Sequence, residues 1–152
     1  MSTITPFLWF DGNAEEAMNL YVSIFKNSSV LSVKRQGDGG PVFYVTFQLD
    51  GQELMALNGG PEFKFTEAIS MFVNCETQEE VDYYWEKLSA GGSAGRCGWL
   101  KDKFGLSWQI VPTALGQLMS GKDPRKTKRV MEAMMKMDKL DIGLLKQAYE
   151  QE

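Results

Sequence analysis

The chain has 152 residues, a formal net charge of −4 and no histidine. This length fits one compact domain or two small modules that share a core, and the acidic balance argues against a general nucleic-acid binder, which needs a basic surface. The missing histidines exclude Ser-His-Asp and Cys-His catalysis and remove the most common ligand of zinc, iron, nickel and copper.

Two cysteines and the hydropathy pattern bear on the cellular compartment. Cys75 and Cys97 form no CxxC motif, so we expect reduced thiols in a cytoplasmic protein rather than a disulfide framework or a zinc knuckle. No apolar run approaches the ~20 residues that span a bilayer, and the N-terminus does not read as a secretory signal. We therefore expect no membrane partner and no nucleic-acid partner.

The first part of the chain predicts a strand, a helix and three more strands. Residues 4–11 read as a strand, and Asn13 is the predicted cap of a helix over 14–25, where apolar residues recur at helical spacing. Alternating polarity and glycine-containing turns then predict three strands, over 29–35, 42–50 and 52–58.

The second part of the chain repeats this order. Residues 68–75 read as a strand, and Thr77 is the predicted cap of a helix that stops before Gly91. A short glycine-rich segment, 91–97, stands where the second strand of the repeat belongs. Strands over 98–102 and 106–112 complete it.

Constant offsets align the two parts. Glu15 matches Glu79 and Tyr21 matches Trp85 at an offset of 64, whereas Met55 matches Gln109 at an offset of 54. The predicted fold class is therefore α+β. Two tandem βαβββ modules can bury their open sheet faces together or curve into a shared cleft. The predicted architecture is a curved mixed sheet with a shared cleft, followed by a C-terminal helical tail. The predicted single domain, 1–152, divides as follows: module one 3–58, crossover 59–67, module two 68–112 and tail 113–152.

The tail lies outside the repeat. Asp123 and Pro124 read as the cap and first residue of one helix, and Asp141 as the cap of a last helix over 142–149. Its methionine-rich face comprises Val130, Met131, Met134, Met135 and Met137. We expect this face to pack on the domain or on a second subunit.

Four segments together resemble the vicinal oxygen chelate superfamily of glyoxalase I, bleomycin-resistance proteins and extradiol dioxygenases. They are FDGNAEEAMNLYVSIF (10–25), GPEFKF (60–65), ETQEEVDYYWEKLSAGG (76–92) and CGWLKDKFGLSWQIVP (97–112). Within the superfamily the chain is similar to the PhnB-like branch, whose proteins are often labelled 3-demethylubiquinone-9 3-methyltransferase-like. The resemblance covers residues 3–112, and it implies a small-molecule ligand in the cleft between the modules and a homodimer.

The resemblance also implies where a metal would be held. In the wider superfamily a second-module strand often ends in DPxGxxxEL, whose Glu binds the metal. DKFGLSWQI places Asp102 and Gly105 on that pattern and puts Gln109 at the position of the Glu.

The other implied ligand positions carry no carboxylate or imidazole either. They fall at Met55, at Thr5 or Pro6, and at Ile69 or Ser70. Neutral amide, hydroxyl and thioether groups return too little of the cost of dehydrating a divalent cation. We expect no metal and no cofactor.

The candidate ligand-binding residues are aromatic, amide, hydroxyl and thioether side chains of both modules and the crossover: Trp9, Met55, Phe63, Phe65, Ser70, Trp99 and Gln109. Gln109 has three interpretations, because it can contact a ligand, pair with a buried backbone group or point outward. Six side chains either line the cleft or fill it: Phe7, Trp9, Phe43, Phe47, Met55 and Trp99. The crossover is predicted to be a lid or a dimer contact.

The expected function is small-molecule binding without metal and without catalysis. The alternative is an enzyme of the same superfamily that acts on a small aromatic or electrophilic substrate, and a third hypothesis is a partner protein that acts through the tail. No glycine-rich strand-to-helix turn of the kind that binds S-adenosylmethionine is present in the sequence. The carboxylates expected near the cleft read as solvated charges: Glu53, Glu62, Glu67 and Asp102.

Overall fold

A computed structural model describes residues 3–151. The chain divides into two compact units, Met1–Phe65 and Thr66–Glu152. The division falls inside the predicted crossover, and the predicted tail belongs to the second unit.

The first unit is a four-stranded mixed sheet with one helix. Its elements are β1 (Phe7–Phe10), α1 (Ala14–Ile24), β2 (Ser29–Arg35), β3 (Val42–Leu49) and β4 (Gln52–Asn58). The strand order is β1-β4-β3-β2, with β1 parallel to β4 and the other pairs antiparallel.

The second unit repeats that arrangement and adds the tail helices. Its elements are β5 (Met71–Cys75), α2 (Gln78–Ser89), β6 (Ser93–Ala94), β7 (Trp99–Lys101), β8 (Ser107–Pro112), α3 (Thr113–Met119), α4 (Pro124–Met134) and α5 (Ile142–Glu150). The strand order β5-β8-β7-β6 matches that of the first unit, so the predicted βαβββ repeat and the α+β fold class are confirmed.

Alternation along each strand decides which side chains face the helix. In β3, Val45, Phe47 and Leu49 are buried, and the ring centroids of Phe47 and Tyr21 of α1 lie 6.4 Å apart. In β8, Trp108 and Ile110 are buried in the same way on the side of α2. Successive side chains point to opposite faces. We call the sheet face opposite α1 or α2 the distal face.

All four predicted cap residues occupy N-cap positions, and three of them make a side-chain cap hydrogen bond. The side chains of Thr77, Asp123 and Asp141 accept hydrogen bonds from backbone N–H groups of the first turns of α2, α4 and α5. Asn13 is the N-cap residue of α1, as predicted, but its side chain makes no cap hydrogen bond. The Asn58 side chain, at the end of β4, accepts from the first N–H of α1 at 2.9 Å instead.

The strand pairing shows that the first strands of the two units, β1 and β5, align one residue differently from the predicted repeat. Phe7 pairs with Met55, whereas Phe72 pairs with Gln109. Since Met55 and Gln109 are equivalent, β1 and β5 align at an offset of 65, not the offset of 64 that the helices suggest. A slip of one residue exchanges the two faces of a strand. Ser70, on the same face as Phe72, is therefore the position adjacent to Gln109, and Ile69 is not.

The tail packs within the second unit. Val130, Leu140 and Leu145 are buried against Val111 of β8, and Met134 and Met137 pack at the edge of this cluster. The predicted methionine-rich face is therefore only partly packed, because Met131 is 42% exposed and Met135 is 59% exposed. Helix α3 was not predicted from the sequence. No helix of residues 3–151 is long and apolar enough to cross a membrane.

Candidate functional site

Three side chains of the second sheet form a row across its distal face. Gln109 of β8 pairs with Phe72 of β5 on one side and with Trp99 of β7 on the other. Their strand neighbours Trp108 and Leu100 are buried on the α2 side, so these three point the opposite way. An amide therefore lies between two aromatic rings.

A hydrogen bond fixes this amide. Gln109 Nε2 donates to Ser70 Oγ at 2.9 Å, and both side chains are half-buried. The bond brings together two of the residues that the sequence proposed, Ser70 and Gln109, and register places a third, Trp99, beside them. This hydrogen bond directs Nε2 towards Ser70, which immediately precedes β5, and leaves the side-chain oxygen Oε1 of Gln109 as an acceptor.

A cavity of about 680 Å³ adjoins the row. Phe72, Trp99 and Gln109 line it from the sheet, and Met119 and Met134 line it from α3 and α4. Of the residues that the structure describes, every one that lines the cavity is uncharged. The volume falls within the range of about 300–1,000 Å³ that is usual for small-molecule sites.

Sequence reasoning missed part of this cavity. Phe72 and Asn74 were not proposed, although the alternation with buried Val73 and Cys75 puts them on the distal face. The wall formed by the tail depends on α3. The apolar spacing of Leu115, Leu118 and Met119 was the available signal for that helix.

In the first unit the crossover rests on Trp9. The indole Nε1 donates to the Gly60 carbonyl at 2.9 Å, and the Phe63 ring meets the indole edge-on, 4.9 Å between centroids. A Cβ at Gly59 would stand 2.3 Å from the indole ring, so only glycine lets the chain pass so close. Two of the proposed residues, Trp9 and Phe63, therefore contact each other.

The other two proposed residues of this unit lie apart from that contact. Phe65 packs edge-to-face on Phe10, 5.2 Å between centroids, and Phe10 is buried on the α1 side of the sheet. Met55 is half-buried on the distal face, where its backbone N–H donates to the Pro6 carbonyl at 2.9 Å. Phe47 was an incorrect candidate for the cleft, because it is fully buried under α1.

Asp102 was interpreted as a solvated carboxylate, and this is wrong. It is only 2% exposed. Its Oδ1 accepts from the N–H groups of Phe104 and Leu106 at 2.9 and 3.1 Å, and its Oδ2 accepts from Trp108 Nε1 at 2.9 Å. Asp102 therefore closes the β7–β8 turn and anchors the buried indole.

Two other proposed carboxylates are exposed. Glu67 forms an ion pair with Lys101, and the hydrogen bond from that ammonium lowers the pKa of the Glu67 carboxyl. Glu62 is also exposed. Neither lines the cavity next to Gln109.

Comparison with known proteins identifies the family. A family model described as 3-demethylubiquinone-9 3-methyltransferase matches residues 2–111, well over half of the chain. The chain belongs to this family. The match ends before α3, so the tail helices lie outside it. No significant match was found among curated protein sequences.

Solved structures agree with this assignment to the 3-demethylubiquinone-9 3-methyltransferase family. A Bacillus cereus protein described as a PhnB protein is 40% identical, with 73% of this chain and 99% of that chain covered and a TM-score of 0.69. Protein PA1353 from Pseudomonas aeruginosa is 19% identical, with 74% and 98% covered and a TM-score of 0.63. A variant of the fosfomycin resistance protein FosX from Listeria monocytogenes, in complex with Mn(II), is 15% identical, with 71% and 90% covered and a TM-score of 0.51. The latter two share the fold.

The residues at the metal positions that the sequence resemblance implies do not fit a divalent ion. Gln109 and Ser70 offer an amide and a hydroxyl that bond each other, and the equivalent of Gln109 in the first unit is the thioether of Met55. Hard cations need several oxygen ligands, usually with carboxylates among them. Within residues 3–151 no group of three His, Cys, Asp or Glu side chains is placed to hold a metal ion.

The strand-to-helix turns of the two units are also unlike a nucleotide site. Such sites use a glycine-rich turn between a strand and the N-terminus of a helix. The β1–α1 connection contains Gly12 alone, and the β5–α2 connection contains no glycine. The glycine pairs lie elsewhere, in the β2–β3 turn, after β4 and after α2.

Proposed function

We propose that this protein binds an organic small molecule at the distal face of its second sheet, with Gln109 as the polar contact and with no metal ion or cofactor. One observation carries the proposal: the Gln109 amide, fixed by Ser70, lies between Phe72 and Trp99 at the edge of a cavity of about 680 Å³. Apolar walls with a few oriented polar groups are typical of ligand sites.

A purely structural role for Gln109 is the competing explanation. The bond to Ser70 satisfies one N–H, but the side chain remains half-buried rather than buried, and the cavity leaves room beside it. A structural amide needs no cavity. Ligand binding therefore accounts for more of the geometry than packing alone does.

Nuclear magnetic resonance with a panel of small compounds tests the proposal. The panel contains charged and uncharged members, both aromatic and aliphatic, and each is titrated into protein labelled with nitrogen-15. We expect at least one compound to shift the indole N–H of Trp99 and the side-chain amide of Gln109 while the indole of Trp85, on α2, stays in place. The absence of any such response across the whole panel would contradict the proposal.

Variants separate binding from folding in this test. Gln109→Leu removes the proposed polar contact, and Gln48→Leu makes the same change at a half-buried strand position of the first unit. We expect only the Gln109 variant to weaken binding. Equal weakening in both variants would point to a general effect on stability rather than to a site.

The proposal excludes methyl transfer in spite of the family's description. Its support is the lack of a glycine-rich turn before α1 or α2. Calorimetric titration with S-adenosylmethionine should give no binding heat, and equilibrium dialysis against Zn, Ni, Mn and Fe should give no stoichiometric uptake. Tight binding of S-adenosylmethionine would favour the alternative, an enzyme acting on a small substrate.

A homodimer belongs to the same proposal. The edge strand β2 exposes three apolar side chains, Val30, Leu31 and Val33, at 42%, 50% and 36%. Exposed apolar edge strands tend to be covered by a partner. Sedimentation velocity should show a dimer that Leu31→Lys shifts towards monomer. A monomeric wild-type protein at all concentrations would refute this part.

A further inference from the structure

We infer that the cavity beside Gln109 takes an uncharged aromatic compound that carries a hydrogen-bond donor, and that the tail helices limit its size. The inference deepens the proposed function and rests on it. It follows from the charge of the cavity, the row of side chains on the sheet, the unused acceptor on Gln109 and the composition of the wall formed by the tail.

The cavity offers no counter-ion. Among residues 3–151 none that lines it is charged, and Lys101, on β7 with Trp99, forms an ion pair with Glu67. Transferring an ionised group from water to such a place without an opposite charge is strongly unfavourable. The ligand that fits is therefore neutral.

The row on the sheet favours a flat ring system. Phe72 and Trp99 lie on strands either side of Gln109, and neighbouring strands are about 4.8 Å apart, so the two aromatic residues are separated by about 10 Å. A fused bicyclic ring spans this distance. Offset and edge-to-face contacts between aromatic rings are favourable, so the rings of Phe72 and Trp99 would stabilise such a ligand.

Gln109 selects for a donor on that ring. One of the two Nε2 protons is donated to Ser70, and among residues 3–151 no group donates to Oε1, which is therefore the acceptor that a ligand can satisfy. A ligand hydroxyl or N–H satisfies this oxygen, whereas an ether of the same shape leaves it without a donor once water is displaced. The loss of one neutral hydrogen bond corresponds to roughly a 3- to 10-fold weaker affinity.

The tail supplies an adaptable wall. Met119 of α3 and Met134 of α4 line the cavity opposite the sheet residues, in a part of the chain beyond the family match. Methionine is unbranched and fills irregular space. Substitutions of Met119 or Met134 should change which ring size is accepted. They should leave the preference for a hydrogen-bond donor unchanged, because that preference depends on Gln109 of β8.

Three naphthalene derivatives test the inference. They are 2-naphthol, 2-methoxynaphthalene and 2-naphthoate, titrated at neutral pH and followed at the indole N–H of Trp99. We expect 2-naphthol to bind, 2-methoxynaphthalene to bind roughly 3- to 10-fold more weakly, and 2-naphthoate to bind more weakly still. In Gln109→Leu the first two should bind equally, while Gln48→Leu should discriminate as the wild type does.

The outcomes are distinguishable from failure of the proposed function. If the charged 2-naphthoate binds most tightly, or if 2-naphthol and its methyl ether bind equally to the wild type, the inference is overturned although the site binds ligands. If none of the three shifts the Trp99 resonance while another panel member does, the ligand class is wrong. Should Gln109→Leu fail to fold, as judged by its melting curve, the comparison of the three compounds on the wild type still decides.

Discussion

Trp108 donates its indole N–H to the carboxylate of Asp102 at 2.9 Å, and both side chains are 2% exposed. The same carboxylate accepts two backbone N–H groups of the turn that joins β7 to β8. One buried charge thus holds the strand that carries Gln109. We expect Asp102→Ala to lower the free energy of unfolding by about 3 kcal/mol, because two buried donors and one part-buried donor lose their acceptor. Urea denaturation measures this loss.

Asp102→Asn provides the control for this change. Its single carbonyl oxygen keeps the two backbone hydrogen bonds, but its amide group then faces the indole N–H, donor against donor. We expect an intermediate loss that Trp108→Phe partly relieves in the double variant. If the two changes add without any coupling, the Asp102–Trp108 bond does not have the role assigned to it.

Gln78 joins α2 to the tail. Its Oε1 accepts from the Ile142 N–H at 2.8 Å, and its Nε2 donates to the Leu140 carbonyl at 3.1 Å. We expect Gln78→Ala to cost about 1–2 kcal/mol of unfolding free energy and to speed amide exchange at Ile142, since α5 loses an acceptor at its first turn. Gln147→Ala, on the exposed side of α5, should do neither.

Some of this architecture could be predicted and some could not. Strand alternation and helical spacing act over a few residues, so β3, α1 and α2 were placed within one or two residues of their ends. The pairing of Phe72 with Gln109 joins residues far apart in the chain. Nothing in either segment alone fixes that register, and the alignment of the repeat was therefore one residue in error.

The candidate site was predictable to a similar extent. Ser70, Trp99 and Gln109 were proposed, and the structure brings them together on the second sheet. The contribution of Met134 was not foreseen, because it depends on how the tail folds back within its unit. Asp102 was misread since an acidic residue in a turn usually faces water, whereas here three donors compensate its burial.

Two glycines should respond to alanine in opposite directions. Gly116 lies within α3, where a Cβ would meet nothing within 4 Å, so Gly116→Ala should raise the free energy of unfolding by about 0.5–1 kcal/mol. Gly98 has φ +86°, and a Cβ there would stand 2.9 Å from the Ile110 carbonyl oxygen. Gly98→Ala should therefore destabilise the fold by about 1–3 kcal/mol. Thermal denaturation measures the melting temperatures of both variants. A shift in the same direction for both would contradict the opposite effects expected at the two positions.

The two thiols should differ in reactivity. Burial, reinforced by the charges of Glu80 and Glu76, raises the pKa of the Cys75 thiol to about 12. Thiolate is the reactive form, so native protein should be alkylated by iodoacetamide at half-buried Cys97 and not at Cys75 until it is unfolded. Labelling of Cys75 in the native state at the rate seen for Cys97 would contradict this.

The raised pKa of Cys75 also predicts a dependence of stability on pH. The folded state keeps the thiol proton up to about pH 12, whereas the unfolded chain loses it near its ordinary value of 9.0. The contribution is therefore fully present below pH 9 and is lost as pH rises towards 12, with a slope of at most about 1.4 kcal/mol per pH unit. Because lysine and tyrosine titrate in the same range, the measurement is the difference between wild type and Cys75→Ala in urea denaturation at each pH. The wild type should lose stability more steeply than the variant between pH 9 and 12, and parallel curves would show that Cys75 ionises as freely in the folded protein as in the unfolded chain.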